Sequence, residues 1–172
     1  VIELAGGTYN LSDYMENSGE MPDGSYAVID SAYDGYEAGI YSLEDFTLRS
    51  APGETVEIVV EPRYANVLSF VDCRGIVLEN IIFGHTPEQG SCDGAVLRFE
   101  DCEDITLDHV DLYGCGTYGI DADGVSGLAM SDSIIRDCSY GIVNLKNCAD
   151  IRISSCIRSE ERRVGKECRS RW

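Results

Sequence analysis

The sequence predicts an all-β protein, a parallel β-solenoid with about 23 residues per coil. Three observations predict it. An internal repeat holds one register over most of the chain. Apolar residues alternate at period two within each unit, in runs too short for amphipathic helices. Gly, Asn and Asp separate those runs, as turns require.

Four units carry the repeat: VLSFVDCRGIVLENIIF (67–83), VLRFEDCEDITLDHVDL (96–112), the stretch 119–135 ending GVSGLAMSDSII, and IVNLKNCADIRISSC (142–156). Leu68, Leu97, Ile120 and Val143 correspond, as do Phe70, Phe99, Ala122 and Leu145. Cys73, Cys102, Val125 and Cys148 form the next set, followed by Ile76, Ile105, Leu128 and Ile151. Leu78, Leu107, Met130 and Ile153 come after them, then Ile81, Val110, Ser133 and Cys156. Successive units lie 29, 23 and 23 residues apart, so the first step carries six extra residues. A fainter copy places Ala38, Ile40, Leu43, Phe46 and Leu48 against Leu68, Phe70, Cys73, Ile76 and Leu78. Three short strands per unit make one coil. Coils stack at about 4.8 Å, and one coil cannot bury its interior face without neighbours.

Residues 1–37 are expected to form an irregular lead-in, opened by a strand and turn in VIELAGGTYNL, and 38–157 the coils. Residues 158–172, RSEERRVGKECRSRW, resemble the conceptual translation of a short-read sequencing adapter and are set apart as a non-native tail. The repeat agrees: the apolar position after Phe83, Leu112 and Ile135 falls on Arg158. With no Met at position 1, both ends are expected to be truncations, and no signal peptide is visible.

The net charge of −18 combines 31 acidic with 13 basic residues. Six basic and three acidic residues belong to the tail, which leaves −21 for residues 1–157. Such acidity disfavours nucleic acid, whose phosphates need clustered cations. It also disfavours a polyanionic glycan unless Ca²⁺ bridges it. No apolar run is long enough to span a membrane. Oligomeric state is not legible.

The units resemble the right-handed, single-stranded parallel β-helix of the pectin-lyase-like superfamily over roughly residues 38–157. GHTPEQGSCDGAVLRFEDCEDITLDHVDLYGCGTYGI (84–120) is similar to a form common in secreted or surface bacterial β-helix proteins. The resemblance implies an extracellular or cell-surface protein whose partner is a polysaccharide or surface glycan. It does not choose among lyase, hydrolase, epimerase, esterase and noncatalytic adhesin, because one fold hosts many functions.

If Leu97 and Phe99 face inward, Arg98 and Glu100 face outward. The matching outward positions are Ser69 and Val71 one coil back, and Asp121, Asp123, Asn144 and Lys146 in the coils ahead. By resemblance, this wall is where pectinolytic enzymes carry their sites. Asp121 and Asp123 lie two apart on one strand, about 6.5–7 Å between Cα atoms, a spacing permissive for an inverting acid/base pair. Glu100, Asp121 and Asp123 are alternatively oxygen donors for Ca²⁺, with Arg98 as the base of a β-elimination. The plain alternative is an exposed charge ladder of little energetic consequence. Tyr118, ahead of Asp121, gives a faint likeness to the Tyr-Gly-Phe-Asp-Pro-His signature of mannuronan epimerases, but Asp123 replaces the His.

The extra residues fall in the loop 84–94, where His85 and Glu88 are candidates for ligand binding or acid/base work. The alternative is a self-capping loop whose His85 bonds to local backbone. His109 aligns with Asn80, Asp132 and Ser155 in a polar turn ladder. The cysteines are expected to be buried thiols. Regular stacking would point Cys115 and Cys138 in parallel rather than at each other.

Overall fold

The computed structural model describes residues 1–17, 25–87, 93–114, 118–138 and 140–159. The chain opens with β1 (Ile2–Leu4), β2 (Gly7–Asn10) and the short helix α1 (Leu11–Asn17). An antiparallel hairpin follows, β3 (Ala27–Ala32) and β4 (Gly35–Tyr41). From β4 onward strands come in threes. The first coil is completed by β5 (Glu44–Ser50) and β6 (Val56–Val60). The second holds β7 (Leu68–Val71), β8 (Arg74–Glu79) and β9 (Ile82–His85). The third holds β10 (Leu97–Glu100), β11 (Glu103–Asp108) and β12 (Asp111–Tyr113). The fourth has β13 (Tyr118–Asp123), β14 (Ser126–Ser131) and β15 (Ile134–Arg136), and the last β16 (Gly141–Lys146), β17 (Arg152–Ser154) and β18 (Ile157–Ser159).

Each coil gives one strand to each of three six-stranded sheets, ordered β1-β5-β8-β11-β14-β17, β16-β13-β10-β7-β4-β3 and β18-β15-β12-β9-β6-β2. Apart from the β3–β4 hairpin every pairing is parallel, so the fold is all-β and β-helix-like. The register is the one legible in the repeat. Leu97 pairs with Leu68 and with Ile120, which pairs with Val143. The fainter copy also stacks in place: Ile40 on Phe70, Phe46 on Ile76, Leu48 on Leu78. Arg158 stands in register with Ile135.

The stacked inward positions form the core. Phe70 and Phe99 are fully buried, with ring centroids 5.3 Å apart and planes 13° from parallel. Burying each such side chain stabilises the fold by about 1.5–3 kcal/mol. The bends between sheets are also laddered. Ser42, Asp72, Asp101, Gly124 and Asn147 all adopt positive φ, as do Asp45, Gly75, Asp104, Gly127 and Asp150. Asn80, His109, Asp132 and Ser155 repeat this at the next corner. Asn, Asp and Gly tolerate the left-handed region best, and that requirement explains the polar residues recurring there.

Residues 1–10 already stack on the first coil, because β1 pairs with β5 and β2 with β6. The helix α1 has no counterpart in the repeat. Asn10 starts it by accepting the Ser12 N–H (3.0 Å), and Met15 enters the core. The cysteines Cys73, Cys102, Cys138, Cys148 and Cys156 are free thiols, and each Sγ donates to the carbonyl two residues earlier, as Cys148 does to Lys146 (3.0 Å). Cys92, Cys115 and the adapter-like tail from residue 160 lie outside the described residues.

Candidate functional site

The wall expected to carry the site is built from β10, β13 and β16. Arg98 pairs in register with Asp121, which pairs with Asn144; Glu100 pairs with Asp123, which pairs with Lys146. Three side-chain hydrogen bonds hold this wall. Arg98 Nη2 donates to Glu100 Oε2 (2.8 Å), Asn144 Nδ2 to Asp121 Oδ1 (2.7 Å), and Asn147 Nδ2 to Asp123 Oδ1 (2.9 Å). Lys146 makes no ion pair among the described residues. Asn147 escaped the sequence reading because it lies past the strand, at the positive-φ corner of the last coil.

Glu100, Asp121 and Asp123 each take a different partner. Among the described residues, the group whose potential ligand atoms converge is another one, Asp108, His109 and Asp132. There His109 Nδ1 lies 3.0 Å from Asp108 Oδ2, and Ser131 Oγ donates to Asp108 Oδ1 (2.8 Å). The Asp108 carboxylate holds the exposed His109 imidazole above its ordinary pKa.

Two expected positions fall elsewhere. Ser69, assigned to the outward face, is only 4% exposed, in register between Gly39 and Arg98, and its Oγ has no partner among the described residues. His85 is not on the overhanging loop. It is the last residue of β9, pairs with Val60, and is 2% exposed. Its Nε2 meets the Ala65 carbonyl (2.8 Å), so Nε2 carries the proton, and Nδ1 is buried without a partner among the described residues. Burial pushes its pKa down. The extra residues therefore begin beyond His85. Where the loop returns, Asp93 and Gly94 N–H donate to the Arg63 carbonyl (3.1 and 3.2 Å), beside the preceding coil's corner. Glu88 lies outside the described residues. Tyr118 opens β13 in register with Gly141, where a Cβ would stand 3.3 Å from its ring, and lies 6.5 Å from the Tyr140 ring.

A second polar constellation crosses the β6–β9–β12–β15 sheet. Tyr113 O–H donates to Glu57 Oε1 (2.9 Å), and the Arg136 guanidinium lies 4.6 Å from the Tyr113 ring centroid while Nε donates to Asp111 Oδ1 (2.9 Å). Burial and the Glu57 bond push the Tyr113 hydroxyl up to about 12. Its only sequence signal was Gly84, which leaves room for the ring.

Neither a family model nor a curated protein matches the sequence. Among solved structures, a "putative glycosyl hydrolase" from Parabacteroides merdae aligns with 73% of this chain and 80% of its own, at 12% identity and a TM-score of 0.48. A likeness at that level says nothing of activity. Among the described residues, no helix is long and apolar enough to cross a membrane.

Proposed function

We propose that this chain is the coil region of an exported, right-handed β-helix protein of pectin-lyase-like type that associates with glycans by binding, without catalysis at the Arg98–Lys146 wall. The observation that carries the noncatalytic part is the pairing of Asp121 with Asn144 and Asp123 with Asn147. A general acid or base must reach the proton it transfers, and each carboxylate has its Oδ1 taken by an Asn amide of the next coil. The association with glycans rests on the β-helix resemblance and on a surface rich in exposed tyrosines.

A glycan array probed with the full chain, with and without Ca²⁺, tests this reading. Binding that persists in Asp121→Asn plus Asp123→Asn, with no turnover of acidic or neutral polysaccharides, supports it. Turnover abolished by that double variant overturns the noncatalytic part. Silence on every glycan overturns the association and favours a structural β-solenoid or an adhesin for protein partners.

A further inference from the structure

The hairpin tip between β3 and β4 is fastened to the corner that follows β6. Arg63 N–H donates to Asp34 Oδ2 (2.7 Å) and Tyr64 N–H to Asp34 Oδ1 (3.1 Å). Gly35 packs so closely on Pro62 that a Cβ would collide with its ring. This fastening brings together aromatic rings from two distant segments: Tyr33 and Tyr64 have centroids 5.1 Å apart at 60°. Tyr33 is 89% exposed, Tyr64 37% and Tyr36 44%. Beside them lies a cavity of about 210 Å³, lined by Glu16 of α1, Asp34, Tyr36 of β4 and the segment Glu61–Arg63.

The lining is half engaged. Glu61 Oε1 accepts from Asn10 Nδ2 (2.9 Å), whereas Glu16 and the Arg63 guanidinium make no hydrogen bond or ion pair among the described residues. We infer that this cavity, with the flanking Tyr33 and Tyr64, is a subsite for one neutral pyranose unit of a glycan. A pyranose has an apolar C–H face that rests on tyrosine rings and hydroxyls that both donate and accept. Glu16 and Glu61 accept from such hydroxyls, and Arg63 donates to them. Three carboxylates line the cavity, those of Glu16, Glu61 and Asp34, the last already taken by two backbone N–H groups, so an anionic sugar is repelled; a cationic one meets the Arg63 guanidinium, and the subsite is assigned to a neutral ring. The fastened hairpin fixes the backbone that carries Tyr33 and Tyr36 before binding, which lowers the ordering cost. The inference deepens the glycan-binding reading and rests on it.

The test titrates the full chain with cellohexaose, xylohexaose, mannohexaose, laminarihexaose, trigalacturonate and chitosan hexamer. Saturation-transfer NMR reads which sugar protons touch the protein. At least one neutral hexaose is expected to bind through ring C–H protons. Tyr33→Ala plus Tyr36→Ala, both at exposed positions, is expected to weaken it tenfold or more, Arg63→Gln less, and Asp121→Asn plus Asp123→Asn not at all. Binding that survives the tyrosine variant but is lost in the wall variant overturns this subsite while sparing the glycan-binding reading. Binding of trigalacturonate or chitosan alone overturns the neutral assignment. Silence with every probe, alongside a positive array, also overturns the subsite, and silence in both overturns the reading with it.

Discussion

The ring of Tyr113 occupies the space that a side chain on Gly84, its register neighbour one coil earlier, would need. A Cβ on Gly84 would collide with three atoms of that ring. The ring in turn carries the Arg136 guanidinium, and its hydroxyl reaches back to Glu57. Gly84→Ala is therefore expected to lose about 1–3 kcal/mol by overpacking, read as a lower urea midpoint at unchanged slope. Adding Tyr113→Ala is expected to recover part of that loss. An unchanged midpoint in the single variant would show that the ring moves aside at no cost.

His109 sits at φ 52° in a corner ladder with Asn80, Asp132 and Ser155. The backbone sets the demand there. His109→Val is expected to lower stability by about 1–2 kcal/mol, the left-handed penalty of a β-branched residue. His109→Asn should stay within about 0.5 kcal/mol of the parent. Equal losses in thermal unfolding of the two variants would assign the residue's contribution to its Asp108 contact instead.

His85 supplies a pH dependence. Its buried imidazole takes up a proton less readily than the unfolded chain's, although the Ala65 carbonyl and Asp34 pull the other way. The unfolded value is about 6.5. Its stabilising effect is present above that pH and is lost as pH falls through it toward the lower folded value. Urea midpoints between about pH 8 and pH 5 should fall, and His85→Gln should flatten the fall over that range. A His85→Gln profile parallel to the parent's would remove His85 as the cause.

Adjacent residues of β10 should behave oppositely. Phe99 is fully buried in a ring stack, and Phe99→Ala is expected to cost about 3–5 kcal/mol. Arg98 shares an exposed ion pair with Glu100, and Arg98→Ala should cost under about 1 kcal/mol. Chemical denaturation of the two variants checks the contrast, and comparable losses would contradict the inward-outward assignment.

The last coil should be the least protected. β16, β17 and β18 end their sheets, and Leu145, Ile153 and Ile157 are exposed there. Hydrogen exchange is expected to be faster in these strands than in β10 and β11. Equal protection throughout would mean that something covers that edge.

The sequence by itself determined the register, the inward ladders and the polar corners. Each coil repeats the same physical demand at the same position, so Leu68, Leu97 and Ile120 declare one another, and Asn80 and His109 share a corner because both must turn left-handed. What does not repeat was decided only by the tertiary structure. Residues 1–37 do not repeat, so the strand and turn expected at their start carry no register, and the structure alone shows that β1 and β2 join the sheets, because strand pairing needs only a free edge. His85 reads as a loop residue, either reactive or bonded to local backbone, until its strand is seen to pair with Val60 and bury it. Asp121 and Asp123 have the spacing of an acid/base pair, but spacing along a strand does not reveal that Asn144 and Asn147 hold them. The Asn144–Asp121 and Asn147–Asp123 hydrogen bonds join residues of different coils, and the Tyr33–Tyr64 pairing joins the hairpin tip to the first coil, through side-chain geometry. Repeat periodicity fixes where such side chains start, and the neighbouring coils fix where they end.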